Sequence, residues 1–120
     1  MNESPIFAKT YDLVKWLIPL TIKFPRQQRF VMAQAMQQSA LNLQERLLEA
    51  VRLPDTARRL QAADVELDKL RFYLRLSYDL GYINLGQQRH AGQMLAEIGR
   101  LLGSWQKKGV RSPPRGGEAL

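Results

Sequence analysis

Apolar residues return at steps of three and four along most of this chain, and the rhythm divides it into four segments. Leu13, Leu17, Leu20 and Phe24 form the first series, which predicts a helix from Pro5 to about Lys23. Pro5 suits an opening turn and Ser4 an N-cap, while Pro19 removes a backbone donor inside the pattern and should bend the helix. Phe24-Pro25 marks the first turn, because a residue before proline avoids the α region. A second helix is expected from Arg26 to about Val51, with Ala33, Met36, Ala40, Leu43, Leu47 and Ala50 as its buried stripe. Leu53-Pro54-Asp55 ends it and supplies a cap for the third, from Thr56 to about Leu80, whose inward residues are Leu60, Ala63, Leu67, Leu70 and Leu74. Gly81 closes that helix as a left-handed cap. The fourth runs from a turn through Asn84 to about Lys107, with Ala91, Leu95, Ile98, Leu102 and Trp105 inward.

No stretch alternates as a strand does. Four amphipathic helices on short connections want antiparallel neighbours, so the expected fold class is all-α, an up-down four-helix bundle. At 120 residues the chain makes one domain, expected over 1–109. Beyond Gly109 the run Arg111-Ser112-Pro113-Pro114-Arg115-Gly116-Gly117 has almost nothing to bury, which predicts a disordered basic tail over 110–120.

Composition narrows the chemistry. There is no cysteine, so disulfides and thiolate metal sites are excluded. The opening residues lack the basic and apolar regions of a signal peptide. The longest apolar stretch, near Val14 to Ile22, is interrupted by Lys15 and Pro19 and is too short to span a bilayer. A cytoplasmic protein without a membrane anchor is the expectation. Eighteen Lys and Arg against eleven Asp and Glu give a net charge of +7, which favours polyanionic partners. His90, the single histidine, has no second ligand at metal spacing and reads as a helix-packing or surface residue. Gly99 and Gly103 lie four apart within a helix and read as sites of close helix approach, not a phosphate loop. No nucleophile–base arrangement is present, so neither enzyme activity nor a cofactor is expected.

The third helix holds the most informative cluster. Asp64, Asp68, Arg71 and Arg75 share one stripe, a pattern that also fits an ordinary solvated face of ion pairs. Trp16 and Trp105 read as core or interface anchors rather than base-stacking platforms.

The segments Leu60-Gln61-Ala62-Ala63-Asp64 and Leu70-Arg71-Phe72-Tyr73-Leu74-Arg75 resemble the third helix of accessory variability determinant (Avd) proteins of diversity-generating retroelements. Glu97-Ile98-Gly99-Arg100-Leu101-Leu102-Gly103-Ser104-Trp105 is similar to that family's fourth helix, and Tyr11-Asp12 and Phe24-Pro25-Arg26 also fit. The resemblance covers about residues 6–106. It implies a noncatalytic protomer of a pentameric barrel that binds a reverse transcriptase and nucleic acid, RNA or DNA, during mutagenic copying of a template repeat. Five copies would carry roughly +35. The family's paired third-helix arginines match Arg71 and Arg75, which the resemblance marks for partner binding, with Arg26 and Arg100 as further candidates. Two alternatives stand beside it. Ribosomal-RNA intervening-sequence proteins, a related bundle family, share the Phe24-Pro25 turn, and a purely structural oligomer would use its charge only for solubility.

Overall fold

The computed structural model describes residues 4–113, and among them every regular element is helical. The four main helices are α1 (Pro5–Ile22), α2 (Gln34–Arg52), α3 (Thr56–Asp79) and α4 (Leu85–Lys108). Each packs against its chain neighbours, and α1 closes the ring against α4. The connections between α2 and α3 and between α3 and α4 are short, and contacts such as Lys9 to Glu97 and Trp16 to His90 run antiparallel. The result is an up-down bundle of 42 × 25 × 23 Å, a length that the 24-residue α3 and α4 set at 1.5 Å of rise per residue.

The expected stripes are the observed core. Leu13 and Leu17 from α1, Met36, Ala40, Leu43, Leu47 and Ala50 from α2, the five expected α3 residues and the five expected α4 residues are all buried. Trp105 is fully buried, tilted against Phe7 at 6.5 Å between ring centroids, and its indole Nε1 donates to the Val110 carbonyl at 2.7 Å. Several polar groups that share this interior have partners. Thr10 and Thr21 donate back to the carbonyls of Ile6 and Leu17, and Ser39 donates to the buried carboxylate of Glu66 at 2.7 Å. Burial without such bonds would cost each group on the order of 1–3 kcal/mol.

Helix ends follow the sequence at α3 and α4. Gly81 adopts φ 82°, the amide of Tyr82 reaches the Ser77 carbonyl and that of Gly81 reaches Tyr78, which together make a Schellman closure of α3. Asn84 forms a reciprocal capping box with Gln87 at the start of α4. Asp55 differs from expectation. It occupies the N-cap of α3 in a left-handed conformation, φ 64°, and its carboxylate lies 3.6 Å from Arg58 instead of capping a backbone amide. α1 runs on through Pro19; Pro19 and Lys15, whose carbonyl loses its helical partner there, are both exposed, so water can replace the missing donor.

The second helix departs most from its expected course. It does not run as one α-helix from Arg26: a 3₁₀ turn spans Arg26–Gln28, a π-helical turn spans Arg29–Ala33, and α2 begins at Gln34. The cause lies in the buried stripe. Continued backwards from Met36 and Ala33 at helical spacing, it would carry Arg29 and Arg26 into the core. The two irregular turns change the phase, so both arginines are exposed and Met32 joins the interior. Of the expected tail, only Val110–Pro113 fall within the described residues; 114–120 lie outside them.

Candidate partner and nucleic-acid interface

Three of the four candidate residues lie on two neighbouring helices, Arg71 and Arg75 on α3 and Arg100 on α4. Arg71 projects from the flank of α3 toward α4, and its Nη2 would stand 2.8 Å from a Cβ built on Gly99. Contact that close means the guanidinium lies directly over the glycine, with no room for a side chain beneath it. The same guanidinium pairs with Asp68 through Nη1 at 2.8 Å, one turn back on α3. Gly99 therefore serves as a seat for an arginine and not for a neighbouring backbone. At Gly103, which the spacing also marks for close helix approach, a Cβ would meet no atom of a neighbouring element within 4 Å among the described residues. A groove of about 240 Å³ opens beside Arg71, lined also by Leu74, Gln88, Gly92, Leu95 and Ala96.

The four arginines stand in different surroundings. Arg75, one turn beyond Arg71, is 82% exposed and meets Asp79 at only 3.8 Å. Exposed pairs of this kind contribute about 0–1 kcal/mol, so Asp68 and Asp79 hold their arginines loosely enough to be displaced. Arg100 follows the Arg71 seat directly in sequence, is exposed, and has no carboxylate within 4.0 Å among the described residues. Arg26 is also exposed and unpaired among the described residues, but it lies in the 3₁₀ turn before α2. The structure thus sets Arg71 against α4 and Arg75 one turn further along α3, while Arg100 lies on the exposed side of α4, about 100° round the helix from Gly99, and Arg26 lies apart in the 3₁₀ turn.

Arg100 shares its exposed face of α4 with two further cations. Arg89, Arg100 and Lys107 stand eleven and seven apart on α4, and both intervals return to nearly the same angle on a helix. All three are exposed, and none meets a carboxylate among the described residues. Glu97, the sole acidic residue of α4, is occupied by Lys9 of α1 at 3.2 Å. The stripe was readable as a spacing of cations across the glycine and alanine positions of α4. It is hidden when each residue is read against its nearest neighbours alone.

On the opposite flank of α4, His90 stacks at a tilt on Trp16, 4.9 Å between ring centroids, beside Lys9, Asp12, Met94 and Glu97. His90 is a helix-packing residue at the surface, Trp16 is half-buried beneath it, and Trp105 belongs to the core. Among the described residues no cluster of three or more His, Cys, Asp or Glu side chains could hold a metal ion, and no helix is long and apolar enough to cross a membrane. The α3–α4 flank offers groups suited to recognising anions. Guanidinium groups present planar forks of donors that fit phosphate or carboxylate oxygens.

A family model described as bAvd-like matches residues 6–109, which includes both the arginine-bearing helix and the helix that seats it. The chain belongs to the bAvd-like family. That match runs from the first turn of α1 to the glycine that ends α4, so membership rests on the whole bundle. No curated protein matches the chain. Membership makes it an Avd-type accessory protein associated with diversity-generating retroelements, in a family that is generally noncatalytic.

Proposed function

We propose that this Avd-type protein is a noncatalytic adaptor that binds the retroelement's reverse transcriptase together with nucleic acid, template RNA or its cDNA, and so supports mutagenic copying. The observation that carries the reading is the α3–α4 flank. Arg71 is seated over Gly99 of the fourth-helix segment, and the cations Arg89, Arg100 and Lys107, unpaired among the described residues, share an exposed face of the same helix. Arg71 and Arg75 are the residues assigned to the transcriptase, and Arg100 with its α4 neighbours and Arg26 to phosphates. Assembly as a pentamer, in the cytoplasm, belongs to the same reading. Five protomers would multiply each stripe around one particle and concentrate roughly +35 of charge for polyanion capture.

The test is co-purification with the cognate reverse transcriptase, wild type against the Arg71→Ala/Arg75→Ala variant. Circular dichroism and native mass establish that both are folded and equally assembled. Retention by wild type and loss by the variant is the expected result. Retention by both would remove Arg71 and Arg75 from the site, and retention by neither would end the adaptor reading.

A further inference from the structure

The irregular start of the second helical segment carries an aromatic ring that the fold does not use. Phe30 is 83% exposed, more than any other large apolar residue of the described chain, and no aromatic ring packs on it. It sits in the π-helical turn Arg29–Ala33, the turn that changes the phase of the helix and aims Phe30 and Val31 away from the core. Ile22, at the end of α1, and Val31 are exposed at the same corner, and Phe24 is buried beneath it against Tyr82. Exposure of this size is costly in water, since a buried phenylalanine gains about 1.5–3 kcal/mol over an exposed one. Short π-helical turns recur at functional sites for this reason: they place a side chain where the regular helix would not.

Charge around the ring says what covers it. From Leu13 to Gln44 the sequence contains no Asp or Glu, while Lys15, Lys23, Arg26 and Arg29 fall within it. Lys23, just after α1, and Arg26, in the 3₁₀ turn that leads into the π-helical turn, are both exposed and have no carboxylate within 4.0 Å among the described residues. Arg29 spends its Nε on the carbonyl of Phe24 at 3.4 Å, which ties the corner together and leaves its terminal nitrogens available. Exposed Gln27 adds an amide with both donor and acceptor. An open aromatic face bordered by free cations is the arrangement by which proteins hold single strands: bases stack on the ring and phosphates meet the cations.

We infer that this corner, Phe30 with Lys23, Arg26 and Arg29, is a stacking site for unpaired bases of single-stranded nucleic acid. The inference rests on the nucleic-acid half of the proposed function and gives it a location distinct from the α3–α4 flank. Phe30 supplies the stacking face, Lys23 and Arg26 the phosphate contacts, and Arg29 the anchorage of the turn. Duplexes, whose bases are already stacked, gain only the contribution of the cations.

The test uses the full chain and three fluorescein-labelled probes: a 20-mer of oligo(U), a 20-mer of oligo(dT) and a 20-base-pair duplex, each titrated between 50 and 200 mM salt (roughly the range over which phosphate contacts dominate). Phe30→Ala is expected to weaken both single strands about fivefold to a hundredfold, with the salt slope and the duplex affinity unchanged. Phe30→Trp restores a stacking face, so it should keep single-strand affinity and show indole quenching on binding. Lys23→Ala/Arg26→Ala should lower the salt slope by about 1.4, two phosphates at about 0.7 each. Phe30 is outside the core, so circular dichroism should not change. Single-strand binding by Phe30→Ala within twofold of wild type overturns the stacking site while leaving nucleic-acid binding intact. A loss confined to oligo(U) or to oligo(dT) points to the sugar and also overturns it. A changed native mass, or lost transcriptase capture with oligonucleotide binding intact, would assign Phe30 to a second copy of the chain or to a protein partner. Failure of wild type to bind any probe at the lowest salt ends the nucleic-acid reading itself.

Discussion

Replacing Gly99 by alanine should raise stability and lower partner binding at once. A Cβ at this position would lie 2.8 Å from Arg71 Nη2, a separation that real Cβ atoms do not tolerate. What must move is the tip of a long side chain that is 45% exposed, so the guanidinium swings into water and the helices stay in place. The loss is then one exposed ion pair with Asp68, about 0.2–1 kcal/mol. Against it stands the removal of a glycine from a helix interior, a gain of about 1 kcal/mol. The net is zero to about 1 kcal/mol of stabilisation, or a rise in Tm of up to about 4 °C for a chain of this length at fixed protein concentration. Gly103→Ala is the matched control: among the described residues no atom of a neighbouring element lies within 4 Å of a Cβ there, so it should gain the full propensity term and leave Arg71 undisturbed. Thermal unfolding and transcriptase capture, measured on both variants, read the two effects separately. In an Arg71→Ala background the Gly99→Ala gain should grow toward that of Gly103→Ala. Destabilisation by Gly99→Ala beyond about 1 kcal/mol would refute the movable-guanidinium argument, and undiminished capture would refute the functional role of the seat.

Other consequences are open to the same instruments. Ser39→Ala takes the 2.7 Å donor from the buried carboxylate of Glu66, leaving Lys69 at 3.3 Å, and should cost about 1–3 kcal/mol in a denaturant midpoint with unchanged m-value. Asn84→Ala breaks the capping box of α4 and should cost about 0.5–2 kcal/mol, with Asn84→Gly costing only a few tenths. Trp105→Ala empties the largest buried side-chain site and should cost about 3–5 kcal/mol, whereas Trp105→Phe should show mainly the loss of the Val110 hydrogen bond. Arg89→Ala/Arg100→Ala/Lys107→Ala should reduce the salt slope of single-strand binding by about 2.1 while leaving thermal stability almost unchanged, since none of the three holds an ion pair among the described residues.

Where the physics is periodic, the sequence was a sufficient guide. The stripes of α2, α3 and α4 emerged from spacing alone because burial of apolar area dominates each helix and leaves one permitted phase. The turn chemistry of Gly81 and Asn84 was equally readable. Reading failed where two demands compete within a few residues. Arg26 and Arg29 continue the α2 stripe in phase but cannot be buried, and only the 3₁₀ and π turns resolve that conflict. Asp55 has the composition of a cap, yet its left-handed backbone turns the carboxylate to Arg58. Gly99 and Gly103 look equivalent in sequence; their difference depends on an arginine twenty-eight positions earlier, and no local pattern carries that pairing.

The distribution of charge ties the site to the fold. Seven of the eleven acidic residues fall between Glu45 and Asp79, on α2, α3 and the turn between them. Those acids hold Arg46, Arg58, Arg59, Lys69, Arg71 and Arg75 in local pairs, so this half of the bundle is close to neutral outside its immediate surface. The stretches on either side, Leu13 to Gln44 and Leu80 to Gly117, contain one acid, Glu97, and it is already paired with Lys9. Excess cations repel one another and contribute nothing to the core, so their retention on α4 and at the Phe30 corner is a cost that folding alone does not explain. Binding of a polyanion removes that repulsion and releases its counterions in the same step. Paired arginines on α3 are suited to a different task, because an incoming carboxylate can take the place of Asp68 or Asp79 with little change in local charge. The proposed division of labour, a protein partner on α3 and a nucleic acid on α4 and the Phe30 corner, rests on which cations the fold has already neutralised.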